Sequence, residues 1–427
     1  MKEKVMSADG SALLSKVVII GAGHAGGSAA ALLRQYGFEG EIVLAGQEDA
    51  PPYQRPPLSK AWLKGEAGLE DLLLRPESFY AEQDIALRTG VTATAIDAGA
   101  KTVTFADGAV EAYDKLILAT GSTARKLTLP GADGPDLLEL RTLDDAERLK
   151  AVLAPGKRLA VVGGGYVGLE AAASARALGA EVVVIERMDR VLARVASQPL
   201  SAFFTDLHKK HGVEILTGVE VAGFEDAGVR LADGTLIAAD AVLVGVGAFA
   251  CEALARTAGL TCDNGVVVDE TARTSDPNIY AIGDVTRRPI PVHGGVMHRL
   301  ESVPNALEQA KQAASAIVGR AAPAPEVPWF WSDQYDVKLQ IAGVPFDADR
   351  QLVRGDPAGG AFSVFHLSGD RIVAVEAVNA PADFMGGRLV IGKGAPVDDA
   401  LLADPTVSIK AVVPFRGGAQ PRKGLRL

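Results

Sequence analysis

A strand–turn–helix signature that occurs twice constrains this chain more than any other feature. Residues 16–27 read KVVIIGAGHAGG. An apolar run, Val17 to Ile20, leads into Gly21, Gly23 and Gly26 at GxGxxG spacing, and the Ala-rich run Ser28 to Leu33 follows. A buried strand feeding a glycine turn that opens a helix is the context a dinucleotide fingerprint needs. Gly21 permits the tight turn, Gly23 admits close backbone approach to a pyrophosphate, and Gly26 lets the helix pack against the strand. The first N–H groups of the helix face the anion. Residues 158–168, RLAVVGGGYVG, repeat the device with Gly163, Gly165 and Gly168 ahead of LEAAASARAL. The repetition predicts two bound dinucleotides and an α/β chain with two Rossmann-like domains.

A dinucleotide fold usually places an acid after its second strand, to accept from ribose hydroxyls. Past EIVLAG (41–46) that place holds Gln47, followed by Glu48 and Asp49, and both Gln47 and Glu48 are open as the ribose contact. Past the second fingerprint, EVVVIE (181–186) ends in Glu186, 21 residues beyond Gly165. A carboxylate there repels a 2′-phosphate and predicts NADH over NADPH, with Arg187 and Arg190 pulling the other way as phosphate partners.

The remaining motifs are distributed around these two turns. PPYQRPPLSKAWL (51–63) fixes the backbone with four prolines. In it Ser59 reads as the cap of a short helix, with Lys60 in a first turn whose dipole disfavours a cation. Residues 71–88 read as a strand-like run carrying Arg75, then a short helix and a strand. Further strands are predicted at 91–97, 102–105 and 115–119, with a hairpin turn at Asp107–Gly108, and a helix from Asp144 to Ala154. TSDPNIYAIGD ends a strand in Gly283–Asp284, and ESVPNALEQA opens a helix capped by Ser302 with Pro304 in its first turn. Pro323, Pro325 and Pro328 read as a linker. Beyond it, Trp329 and Trp331 share one strand face, as core or as a cofactor-facing surface. His208 and His211 share a helical face but lack a carboxylate companion, so no metal site is expected.

Bulk properties exclude several classes. The net charge of −10 over 427 residues argues against broad nucleic-acid or anionic-membrane binding. Residues 320–427 hold 12 basic and 12 acidic residues, so an acidic partner meets no net repulsion there. The two cysteines, Cys251 and Cys262, form no CxxC pair and suit a reducing compartment. No apolar run reaches membrane-spanning length and the N-terminus lacks a signal-peptide core, which predicts a cytoplasmic protein with a flexible tail at 1–15.

Taken together, GAGHAGG, PPYQRPPLSK, LATG, LRTLDDA, VVGGGYVGLE, TSDPNIYAIGD, ESVPNALEQA and WFWSDQY resemble the FAD-dependent, NADH-linked ferredoxin reductases of bacterial haem-thiolate monooxygenase systems, the putidaredoxin reductase-like family. The resemblance runs from about residue 16 to the C-terminus, with the Pro-rich stretch and ESVPNALEQA its most specific parts. It implies a glutathione-reductase-like arrangement: an FAD domain of two segments (16–122 and 253–327), an inserted NADH domain (123–252) and a C-terminal α+β interface domain (328–427). FAD would lie on Gly21, Gly23, Ala25, Gly26, Gln47, Arg55, Lys60, Ala93, Arg141, Asp284, Val303 and Trp331. NADH would lie on Gly163, Gly165, Val167, Gly168, Glu186, Arg194 and Gly247. Family members often carry an acid where Gln47 stands, and a Pro-Asn pair near Ala250 and Cys251. The resemblance also implies that Lys60 sits beside the flavin, paired with Glu170, and that electrons leave singly to a [2Fe–2S] ferredoxin. Such ferredoxins are generally acidic, so a local basic patch is expected, with Arg75, Lys311 and Lys338 as its candidates. Disulfide reductases and NADH peroxidases of similar build carry redox cysteines between 41 and 65; this chain has none there. Two alternatives remain: a reductase for a ring-hydroxylating dioxygenase, and an NADH-sensing flavoprotein resembling apoptosis-inducing factor.

Overall fold

The computed structural model describes residues 14–134 and 137–413, so the expected N-terminal tail lies outside the described residues except for Leu14 and Ser15. Two compact units divide the chain, one through Asp336 and one from Val337 onward.

The first unit contains two five-stranded parallel sheets of the same design. The first runs in the order Ile279–Ala281, Lys115–Leu118, Lys16–Ile20, Glu41–Ala45, Ile85–Arg88. The second runs Glu214–Thr217, Glu181–Glu186, Arg158–Val162, Ala241–Val244, Leu137–Leu138. Each fingerprint strand is the central one, buried on both faces, which is why VVII and LAVV are unbroken apolar runs rather than alternating ones. On one face of the first sheet the helices His24–Gln35 and Val303–Ile317 pack on each other through Ala29, Ala30, Ala310 and Ala313, small side chains that allow close approach. On the other face lies an antiparallel sheet of Ala93–Asp97, Thr102–Phe105 and Val110–Ala112, contributing Ile96, Val103 and Phe105. Its tight turn at Asp107–Gly108 has Gly108 at φ +83°, the left-handed conformation that favours glycine. Between the two parallel sheets, Ser122–Ala124 pairs antiparallel with Ala248–Ala250, so the two crossings of the chain lie side by side.

In each fingerprint the first and third glycines have a steric reason. A Cβ on Gly21 (φ +111°) would stand 2.1 Å from the Ala119 carbonyl oxygen, and one on Gly26 would stand 1.9 Å from that of Gly21. Gly163 (φ +110°) and Gly168 repeat this, at 2.4 Å from the oxygens of Gly245 and Gly163 respectively. Gly23 and Gly165 meet nothing within 4 Å.

Some local expectations shift. The apolar run at 71–74 is not a strand: Leu69–Leu72 forms a short helix, and only Leu73 bridges, to Tyr53. The helix expected at 144–154 spans Leu143–Val152, because Thr142 and Asp145 cap each other across its first turn. In the Pro-rich stretch, Pro56 and Pro57 start a 3₁₀ turn, Pro56–Ser59. Ser59 therefore ends a turn instead of capping a helix, and Lys60 lies just beyond it. The strand Trp329–Gln334 falls in the unit that runs through Asp336.

In the second unit an antiparallel sheet runs in the order Val337–Gly343, Arg371–Val378, Ala361–Ser368, Arg350–Asp356. The helix Pro381–Lys393 packs against it so closely that a Cβ on Gly387 would stand 2.8 Å from the Val375 side chain.

Candidate active site

The two fingerprint turns open at the carboxyl ends of their sheets, where open α/β sheets bind ligands. A cleft of about 940 Å³ at the first is lined by Gly21, Gly23, Ala25, Gln47, Arg55, Lys60, Arg141, Asp284, Val303 and Trp331, among others. A smaller one of about 360 Å³ at the second is lined by Gly165, Val167, Gly168, Glu186, Arg194 and Gly247. Tyr166, Val167 and Phe330 line both, with the Tyr166 and Phe330 rings 4.8 Å apart between centroids. The clefts therefore share a wall. Three of the expected contacts are elsewhere. Gly26 and Gly163 lie behind the turns they make possible, and Ala93 sits in the antiparallel sheet, half-buried opposite Phe105, away from the lining.

The larger cleft is shaped for a polar ligand. Nδ1 of His24 and Nε of Arg141 are buried without a hydrogen-bond partner. Burial lowers the His24 pKa, against a smaller opposing effect of Asp284. Asp284 is oriented by Arg141 (3.1 Å) and Ser122 (3.4 Å). Gln309 accepts from the Gly283 N–H and the Thr286 hydroxyl, each at 2.8 Å, and so fixes the loop that carries Asp284. Glu48 is engaged by Arg55 at 2.5 Å and by the Tyr53 hydroxyl, which leaves Gln47, exposed at the cleft edge, as the uncommitted one of the two. The helix Val303–Ile317 begins at the cleft with Ser302 as its cap, the Ser302 oxygen accepting from Asn305 N–H at 3.3 Å. Cys251 also lines this cleft, its thiol pKa raised by burial.

In the smaller cleft both oxygens of Glu186 accept backbone N–H groups, from Gly164 at 2.8 Å and from Met188 at 2.7 Å. The Arg194 guanidinium stands next to Gly247, where a Cβ would be 3.5 Å away. Arg190, expected to pull toward a 2′-phosphate, instead donates to the carbonyls of Ala193 and Ala196 and to Ser201, and is not directed at the cleft.

Lys60 and Glu170 meet, although 110 residues apart, with Nζ 2.6 Å from Oε2. Glu170 also accepts from Ser59 (2.6 Å) and Ser332 (2.6 Å). Its side chain is 6% exposed and that of Lys60 20%. Ser174, one turn along the helix from Glu170, donates to the Ser59 carbonyl at 2.7 Å, which ties the Pro-rich stretch to the second fingerprint helix. Sequence reasoning missed Ser59, Ser332 and Gln309 in these roles. For Gln309 a signal existed: Asn305, Glu308 and Gln309 lie on one face of an otherwise Ala-rich helix, and all three are buried. Arg288 completes that buried set, bonded to Glu308 at 2.8 Å and Asn305 at 3.1 Å.

The expected basic positions are dispersed in their roles. Arg75 is exposed with its guanidinium over Phe79, Lys311 pairs with Glu326 at 3.1 Å, and Lys338 is exposed in the second unit. The two histidines have other partners: His208 bonds Gln334 and Tyr335, and His211 stacks on Tyr335. Among the described residues no group of three metal-ligating side chains occurs, and no helix is long and apolar enough to cross a membrane.

A family model described as pyridine nucleotide-disulphide oxidoreductase matches residues 15–310, and one described as reductase C-terminal matches residues 329–413. The chain is 51% identical to the Probable ferredoxin reductase CtmF of Castellaniella defragrans over 93% of this chain and 98% of that protein. It is 43% identical to Putidaredoxin reductase CamA of Pseudomonas putida, over 93% and 96%. The fold matches the reductase in the crystal structure of the covalent putidaredoxin reductase–putidaredoxin complex, with TM-score 0.91 and 42% identity over 93% of this chain and 98% of that one.

Proposed function

Because the chain belongs to the pyridine nucleotide-disulphide oxidoreductase family, we propose that it is an FAD-dependent reductase carrying electrons from NADH to a [2Fe–2S] ferredoxin. The ferredoxin in turn supplies a haem-thiolate monooxygenase. The observation that carries this reading is the wall shared by the two nucleotide clefts, which sets two cofactor sites on either side of Tyr166, Val167 and Phe330. FAD fits the larger cleft, on Gly21, Gly23, Ala25, Gln47, Arg55, Arg141, Asp284, Val303 and Trp331. NADH fits the smaller, on Gly165, Val167, Gly168, Glu186, Arg194 and Gly247. Bound FAD supplies a two-electron acceptor for hydride and a one-electron donor to the iron–sulfur partner.

The chain's own residues hold and orient. Glu170, itself held by Ser59, fixes the Lys60 ammonium at the cleft wall, which pre-sets the geometry that hydride transfer requires. The helix that begins at Val303 turns its free N–H groups and positive dipole end toward negative charge in the cleft. Glu186, oriented by two backbone N–H groups, presents its remaining acceptor sites to a ribose diol, and Arg190 offers no receptor for a 2′-phosphate, both favouring NADH. The two thiols, half-buried and unpaired, suit a cytoplasmic setting. The partner is an acidic ferredoxin, and a coupling rate insensitive to salt would remove that part.

Purified protein with NADH, cytochrome c and a panel of ferredoxins tests the whole. Flavin absorbance and cytochrome c reduction that depends strongly on an added ferredoxin support it. A colourless protein that takes up no flavin refutes it. A long-lived charge-transfer complex with little turnover would favour the sensor alternative, and preferential coupling to a dioxygenase ferredoxin would reassign the terminal oxygenase.

A further inference from the structure

The Lys60–Glu170 pair is not the end of its hydrogen-bond network. Ser332 Oγ lies 2.6 Å from Glu170 Oε1, Gln334 Nε2 lies 3.2 Å from Ser332 Oγ, His208 Nε2 lies 2.9 Å from Gln334 Oε1, and Tyr335 Oη lies 3.2 Å from His208 Nδ1. Glu170, Ser332, Gln334 and His208 are all buried, His208 with no exposed surface. The chemistry of the groups fixes the direction of every bond. A carboxylate only accepts, so Ser332 must donate to it. The Ser332 oxygen then receives a Gln334 amide N–H, which turns the Gln334 carbonyl toward His208. Nε2 of His208 must therefore carry the proton, and Nδ1 accepts from Tyr335. The imidazole is fixed as one neutral tautomer, and burial, which lowers its pKa to about 4, keeps it so. Every donor in the series points toward Glu170.

The far end of the series is tied to the smaller cleft. His208 lies in the last turn of the helix Gln198–Lys210, whose cap, Ser197, is separated by one residue from the segment Leu192–Val195 that lines that cleft. Arg190 fastens the segment to the helix through Ser201 and the Ala196 carbonyl.

We infer that His208 is a positioning residue for the Lys60–Glu170 pair, acting through Gln334 and Ser332 to hold the Glu170 carboxylate in the one orientation that aims Lys60 into the larger cleft. The inference rests on the role given to Lys60 above. His208 touches neither cofactor cleft. Removing its N–H leaves the Gln334 carbonyl without a donor, so the amide is free to reverse, Ser332 to turn away, and Glu170 to lose one of its two oriented hydroxyl partners.

Two readouts test this. The first does not involve turnover: ¹⁵N-imidazole NMR of the holoprotein, with the His208 signal identified by its loss in His208→Gln, must show the neutral Nε2–H tautomer at about neutral pH. A proton on Nδ1 would reverse the series and overturn the inference. The second is stopped-flow flavin reduction by NADH. His208→Leu is expected to lower the limiting rate about tenfold, with NADH affinity and flavin content unchanged, and His208→Gln, which restores a donor, to recover most of it. In a Lys60→Met background His208→Leu should add nothing, since both act on one element. An additive effect, or a wild-type rate in His208→Leu alongside a slow Lys60→Met, overturns the role of His208 and leaves that of Lys60 standing. A wild-type rate in Lys60→Met overturns the reading of Lys60 itself, and this inference with it. Gln334→Met breaks the same series at another point and must slow reduction similarly if His208→Leu does not retain FAD. Failure of both to retain it would make the series a folding element and refute the positioning role.

Discussion

Gly165→Ala separates the two nucleotides. Gly165 has φ −82° and ψ 176°, ordinary extended backbone that alanine adopts without strain, and a Cβ there meets no protein atom within 4 Å. The methyl group would point into the smaller cleft, at the opening of the helix Tyr166–Ala177. Stability of the protein should change by no more than about 0.5 kcal/mol, and FAD should be retained in full, because the larger cleft uses the other turn. Holding a pyrophosphate off the helix N-terminus forfeits one charge-assisted hydrogen bond, worth roughly 1.5–3 kcal/mol, or about ten- to a hundredfold in affinity. The assay is titration with NADH under anaerobic conditions, followed by flavin bleaching and by the KM of cytochrome c reduction. Gly23→Ala is the mirror experiment: its φ of −88° is equally permissive, and it should yield folded protein that binds FAD poorly. If Gly165→Ala loses FAD, or binds NADH as well as the parent does, the assignment of one nucleotide to each turn is wrong.

Three further outcomes follow from the geometry. Gly168→Ala, whose Cβ would stand 2.4 Å from the Gly163 carbonyl oxygen, should destabilise the fold by about 1–3 kcal/mol in urea titration, where Gly165→Ala does not. Lys60→Met leaves a buried carboxylate with only hydroxyl donors and should cost about 2 kcal/mol. Adding Glu170→Met should recover most of that, and a double variant no more stable than Lys60→Met would contradict the pairing. His208 titrates at about 4 in the fold against an ordinary 6.5, so the unfolded chain takes up the proton first and folding stability falls with pH. The parent should lose about 1 kcal/mol more than His208→Gln between about pH 7.5 and about pH 5.5, and parallel curves would show that His208 is not buried as a neutral base.

The glycine spacing and the apolar strands before it were enough to place both Rossmann sheets, because those constraints are local: a positive φ, a close approach and a two-faced strand are each written in a few consecutive residues. Glu186 and the Ser302 cap were legible for the same reason. The Lys60–Glu170 contact was reached through family resemblance; spacing within the chain does not suggest it, since 110 residues separate the partners. The partners that orient it, Ser59 and Ser332, come from three separate stretches with Glu170, and Gln334 and His208 extend the series across another 126 residues of sequence. Hydroxyls and amides are common and carry no periodicity, so only the packed fold selects which of them share a hydrogen bond. Arg190 and Glu48 make the same point in reverse. Their charges suggested ligands, yet tertiary partners had already engaged them, and a sequence records the charge of a side chain without recording what surrounds it.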